Sequence, residues 1–221
     1  MGNPIRYIDP DGRKADDIID IDKTTGQITH TSAEGDDVVR LVENGDVQSQ
    51  YTYGENGSFL EENKIESASE SKTQMITFTD SEKAQTFYEF AANSNVEFAK
   101  IDFDSPIMDG KSIVMTDQKR ATVNTNSLLI NLVLFQSAEI LKHSHTHPMG
   151  ANWPTGYDFF TKKPHPPGTE NHNKGDTGHV KMFRSGFYPG FKSTIFEILT
   201  PQTGEITTYD GVNKYKVNGG K

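Results

Sequence analysis

Along the first third of the chain, apolar and polar residues alternate with a period of two. "KTTGQITHT" (23–31) and "DVVRLVENGDVQSQYTY" (37–53) carry this alternation on either side of Gly-containing turns. That is the pattern of hairpin strands with one covered face, and "ENGD" (43–46) is the clearest of the turns. "EENKIESASESK" (61–72) has no such period and reads as a solvated linker. From residue 74 the pattern sharpens. "QMITFT" (74–79) is a short strand, and "TDSE" (79–82) is a capping box, in which Thr79 accepts from the backbone and Glu82 reaches back. The helix that follows, over 80–93, sets Ala84, Phe87, Tyr88 and Ala91 on one face, and "NSN" (93–95) ends it. "VEFAKIDF" (96–103) alternates again, with Val96, Phe98 and Lys100 on one face and Glu97, Ala99 and Ile101 on the other. "KSIVMT" (111–116) is a further strand, whereas periodicity leaves 127–136 open between helix and strand. "AEILKHSHTH" (138–147) reads as a strand. "STIFEIL" (193–199) and "EITTYDG" (205–211) make a hairpin around "PQTG", with "KYKV" (214–217) beyond it. Between these lies a long polar loop, "TKKPHPPGTENHNKGDTGHV" (161–180). Many strands with few helices predict an α+β fold.

A length of 221 residues suits one domain with a smaller appendage, and 13 Phe and 8 Tyr can fill a sizeable core. No apolar run approaches the ~18 residues of a membrane span. The formal net charge of −9 and the lack of a basic, aromatic-laced patch argue against nucleic acid as a partner. A nuclease that borrows positive charge from a metal stays open. With no cysteine, disulfides and thiolate zinc sites are excluded, so any metal rests on His, Asp and Glu. "MGNPIRYIDPDGR" has no positively charged start followed by an apolar core, and is not expected to be a signal peptide.

The densest chemistry lies in "HSHTHPMGANWPTGYD" (143–158), which holds three of the seven histidines. In a strand His145 and His147 project together, His143 lies one step deeper on the same face, and Pro148 stops the strand. Asp158 follows on the next turn as a possible third ligand. Two imidazoles and a carboxylate suit Zn2+, leaving a fourth position for water. A second set, His165, His172, Asp176 and His179, lies in the polar loop.

The array His145-x-His147-x7-Thr155-x-x-Asp158 resembles the JAMM motif of JAB/MPN metalloproteases, in which HxHP is followed, after a matching spacer, by Ser-x-x-Asp. "HTHP" and "PTGYD" carry the likeness, with Thr155 where that family has Ser. The resemblance spans roughly 74 to 160 and implies a sheet flanked by helices, similar to the cytidine deaminases. It also implies zinc held by His145, His147 and Asp158, with Thr155 hydrogen-bonding the oxyanion. Glu97, on the strand after the first helix, takes the place of the general base, with Glu139 and Glu89 as rivals. "NKGD" (173–176) imitates the Ser-x-x-Asp element only with a longer spacer, so Asp176 ranks below Asp158. Trp153, Phe159 and Phe160 border this site, either lining a groove or, as is commoner, packing in the core.

"NPIRYIDPDGR" (3–13), with Pro4, Asp9, Pro10, Asp11 and Gly12, resembles the segment that closes the core of RHS-repeat proteins, with Arg13 where an apolar residue is usual. In that family a variable toxin domain begins beyond it. Together the two likenesses imply an RHS boundary segment at 1–13, a β-rich hairpin extension and linker at 14–73, and a JAB-like metallopeptidase domain at 74–221. They imply a toxin secreted or injected to act in the cytosol of a target cell, with a protein substrate such as a ubiquitin-like conjugate. A cognate immunity protein and the RHS core would be its partners. A metal-dependent nuclease and a catalytically degenerate JAB fold used for binding are the alternatives.

Overall fold

A computed structural model describes residues 16–33, 37–53, 64–67, 72–167, 169, 175–186 and 188–219. The RHS-like segment 1–13 and His172 lie outside the described residues.

The N-terminal alternation becomes a four-stranded sheet of β1 (Asp16–Asp22), β2 (Ile28–Ala33), β3 (Val38–Glu43) and β4 (Asp46–Thr52), in the order β2-β1-β3-β4. Asn44 and Gly45 join β3 to β4 with φ of 53° and 88°, the doubly left-handed turn that matches strand twist. The apolar face of this sheet is not left in water. Ile19, Ile21, Ile28, Val39 and Leu41 share one buried cluster with Phe87, Tyr88 and Phe98 from the rest of the protein. Gln74 clamps the join, accepting from the Ile28 N–H at 2.7 Å and donating to its carbonyl at 2.8 Å.

A larger sheet is formed by β5 (Lys64–Ser67), β6 (Gln74–Phe78), β7 (Phe98–Asp104), β8 (Ser112–Thr116), β9 (Glu139–Thr146), β10 (Ile195–Thr200), β11 (Glu205–Tyr209) and β12 (Lys216–Asn218). Its order is β12-β11-β10-β9-β7-β8-β6-β5, and its described pairs are antiparallel except β9 with β10. The expected linker 61–72 therefore contains an edge strand. It pairs with β6 through the backbone, and such pairing leaves no mark in the hydrophobic pattern.

Three helices accompany the sheets among the described residues: α1 (Ser81–Ala91), α2 (Asn126–Phe135) and α3 (Gly175–Arg184). In α1 the buried side chains are Ala84, Phe87, Tyr88 and Ala91, the face given by the sequence period. Its cap is Asp80 rather than Thr79, with the Asp80 carboxylate accepting from the Glu82 and Lys83 N–H groups at 2.7 and 3.2 Å. A carboxylate there also opposes the positive end of the helix dipole. The ambiguous segment 127–136 is α2, which buries Leu129, Leu132 and Val133 while leaving Leu134 and Phe135 exposed, so no clean face existed to read. The larger departure is α3, which rises inside the expected loop. Thr177, Val180 and Phe183 form its buried stripe, but Gly175 and Gly178 weaken the helical signal. The architecture is α+β, as the sequence led us to expect. No helix among the described residues is long and apolar enough to cross a membrane.

Candidate metal centre

The site is assembled on β9 from both sides. Register pairs His145 with Ala99 and His143 with Ile101 across β7, and Ile198 and Phe196 flank the same histidines on β10. Continuing the register two residues past Ala99 sets Glu97 opposite His147, on the same face. Over that face lies α3. Its Phe183 stacks on Phe191 with centroids 4.3 Å apart, and Phe183 and Val180 are fully buried in a cluster with Phe196 and Tyr209. This anchoring delivers the first turn of α3, and with it Asp176, to the histidines.

His145 Nε2 lies 3.1 Å from His147 Nε2 and 3.2 Å from Asp176 Oδ1, and Asp176 Oδ2 is 3.9 Å from His147 Nε2. Tetrahedral zinc with bonds of about 2.0–2.2 Å sets its ligand atoms roughly 3.3 Å apart, so these three fit one face of its coordination shell. His147 Nδ1 sits 2.9 Å from the Ala151 carbonyl, which accepts its N–H and leaves the Nε2 lone pair for a cation. Burial pulls the His145 imidazole down, but the Asp176 carboxylate more than offsets this and holds it above its ordinary value. His147 has no such full compensation: burial, with His145 beside it, lowers it to about 4. Burial likewise pushes the Asp176 carboxyl up, yet the two histidines and the Thr155 N–H hold it well below the usual carboxylate range. The centre is therefore a carboxylate, a neutral His147 and a His145 whose raised affinity for a proton a cation would have to displace.

Asp158, the expected third ligand, does not come to the histidines. Its carboxylate accepts from the Thr161 N–H at 2.7 Å in a surface turn. A Ser-x-x-Asp element brings both side chains to one face only if the intervening residues make a helical turn. Here Gly156 has φ of 86° and Tyr157 turns into the core, where its hydroxyl accepts from the Gly211 N–H at 2.7 Å. Asp158 is thereby carried outward, and Asp176 takes its place. Thr155 does reach the centre, but its hydroxyl is committed. It donates to Asp176 Oδ2 at 3.0 Å and accepts from the Asp176 N–H at 2.9 Å, while the Thr155 N–H donates to Oδ2 at 2.7 Å. The hydroxyl expected to meet an oxyanion is thus bonded to Asp176. Gly175 makes the close approach possible: its φ is +54°, and a Cβ there would lie 1.9 Å from Thr155 Oγ1. That glycine just before Asp176 was the signal in "NKGD".

Glu97 is 8 % exposed and lines the same 350 Å³ cavity as His145, His147, Thr155 and Asp176. Burial pushes its carboxyl up to about 7, against the pull of His145 and with a further push from Asp176. The rival Glu139 accepts from Ser193 at the far end of β9, and Glu89 accepts from Gln85 on the exposed side of α1. From the second histidine set, His179 joins the cavity wall and His165 does not. Trp153, Phe159 and Phe160 are not core: Phe160 is 87 % exposed, and the three meet edge to face at the surface.

No curated protein and no solved structure matches the chain. Residues 76–181 match a family model described as JAB-like toxin 1. The matched span runs from β6 into α3 and holds Glu97, His145, His147, Thr155 and Asp176, so the part of the chain that builds this centre is similar to JAB-like toxin domains.

Proposed function

We propose that this chain carries a zinc-dependent amide hydrolase, the toxin domain of an RHS polymorphic toxin that cleaves peptide or isopeptide bonds in the cytosol of a target cell. The observation that supports it best is the convergence of His145, His147 and Asp176 beside a buried carboxyl, Glu97, poised near neutrality. A bound zinc would supply a Lewis acid for the scissile carbonyl and lower the pKa of a water. The residues of the chain do the rest. His145, His147 and Asp176 hold the ion, while Thr155 and the Ala151 carbonyl keep Asp176 and His147 aimed. Glu97 takes the proton of the attacking water on its carboxylate and returns it to the leaving nitrogen as the C–N bond breaks. The JAB-like toxin match supports a toxin domain, and the segment 3–13 supports an RHS core as its parent. A protein substrate such as a ubiquitin-like conjugate and a cognate immunity protein belong to the same reading.

The test is zinc content by elemental analysis. We expect about one zinc per chain, lost in His145→Ala/His147→Ala and in Asp176→Ala but kept in Asp158→Ala and Glu97→Gln. Wild-type protein that takes up no zinc when it is supplied would overturn the hydrolase reading and leave a binding domain. Retention of hydrolytic activity by the zinc-loaded Glu97→Gln variant would remove Glu97 from the mechanism.

A further inference from the structure

Three side chains in the wall of the metal cavity each keep a buried polar atom with no hydrogen-bond partner among the described residues: Asn126 Oδ1, His143 Nδ1 and His179 Nε2. Buried polar atoms are nearly always paired, so three orphans on residues that line one cavity point to a ligand. Two of them are close neighbours, and the third follows a residue bonded to one of these. The His143 and His179 rings stack with centroids 4.9 Å apart and planes 19° apart. His143 Nε2 meets Thr125 Oγ1 at 3.0 Å, and Thr125 is the residue before Asn126. Thr125 stands at the N-cap of α2, yet its side chain makes no capping bond; the hydroxyl holds His143 instead. His179 also packs on Phe183 at 4.8 Å between centroids, so the wall is preorganised.

A second metal ion is the wrong ligand. Rings stacked within 19° of parallel cannot both aim in-plane lone pairs at one ion. Charge narrows the class further. Asn126 Oδ1 can only accept, so the ligand must donate. A carboxylate would meet that oxygen with Glu97 and Asp176 lining the same cavity. An ammonium would give up its hydration beside a cation held by His145, His147 and Asp176. A primary carboxamide brings two N–H donors and one acceptor without net charge, and a neutral imidazole nitrogen can serve either partner.

We infer that Asn126, His143 and His179 form a subsite for the uncharged amide side chain of an asparagine or glutamine next to the scissile bond of the substrate. The inference rests on the amide-hydrolase reading of the metal centre and deepens it by naming a flanking residue class.

Propionamide is the glutamine side chain on its own, and propionate and propylammonium are its charged counterparts. Each is titrated into the full chain supplied with zinc while the ring-nitrogen NMR signals of His143 and His179 are followed, and zinc is measured in the same samples. Propionamide should shift both sets of signals saturably and bind about tenfold tighter than either charged probe. Asn126→Leu and His179→Phe should each weaken it about tenfold with zinc retained. These residues sit on different helices, so if one variant fails to fold the other decides. Equal or tighter binding of propionate or propylammonium overturns the amide assignment, as does a zinc-loaded chain that ignores propionamide. A wild-type chain that holds no zinc refutes the metal reading instead, and the same titration on that chain then judges the subsite by itself.

Discussion

Replacing Thr155 with valine asks whether the third ligand of the centre is held in place by its neighbour. Valine keeps the shape of threonine and removes only the hydroxyl. Two hydrogen bonds go with it, one donated to the Asp176 carboxylate at 3.0 Å and one accepted from the Asp176 N–H at 2.9 Å. The Thr155 N–H to Asp176 Oδ2 at 2.7 Å survives, because it is backbone. A bond to a charged group contributes about 1.5–3 kcal/mol, and partial exposure lets water replace some of the second, so the net loss is about 2 kcal/mol. That corresponds to zinc binding about 10- to 100-fold weaker, the range expected when a group that orients a ligand is removed. The assay is competition with a chelator of known affinity at neutral pH, with the denaturant midpoint of metal-free protein as a check on folding. Thr155→Ser keeps the hydroxyl and should bind zinc like wild type. An unchanged zinc affinity in Thr155→Val, together with slower turnover, would refute the positioning role and return Thr155 to the oxyanion.

Gly175→Ala should destabilise the protein by about 1–3 kcal/mol, since alanine is strained at φ +54° and its Cβ would run into Thr155 Oγ1; a urea midpoint equal to wild type would contradict this. Phe183→Ala removes the buried ring that anchors α3 and should cost about 3–5 kcal/mol in chemical denaturation; a loss below about 1 kcal/mol would mean the helix is held by something else. Glu97 gives a pH signature in the metal-free protein. A carboxyl raised in the fold adds stability below its unfolded value near 4.5 and loses it as pH rises through about 7. Glu97→Gln should therefore match wild type in acid and become more stable by about 2–3 kcal/mol in mild alkali. A stability difference that stays flat across that window would show that Glu97 is not held protonated by burial.

Much of the fold could be read from local pattern because local pattern causes it. The period of 3.6 in α1 records the face it buries, and the two-residue repeat of a strand gave the joint projection of His145 and His147, although β7 and the histidine end of β9 are buried on both faces. Asn44-Gly45 fixed a hairpin for a steric reason contained in two residues. The edge strand β5 and the helix α3 left weaker traces, one expressed in backbone pairing to β6 and the other carrying two glycines. For the site, the sequence determined residue types: histidines in alternation, no thiolate and an acid to be found elsewhere. Which acid joined them was a tertiary decision. Asp158 lies nearer in sequence, but the left-handed Gly156 and the burial of Tyr157 turn it away. Asp176 lies 29 residues past His147 and arrives because Val180 and Phe183 dock α3 onto the face of the sheet that carries the histidines. A metal centre needs ligand atoms within a few ångströms, and that proximity is set by how buried faces pack, which spacing along a chain does not encode.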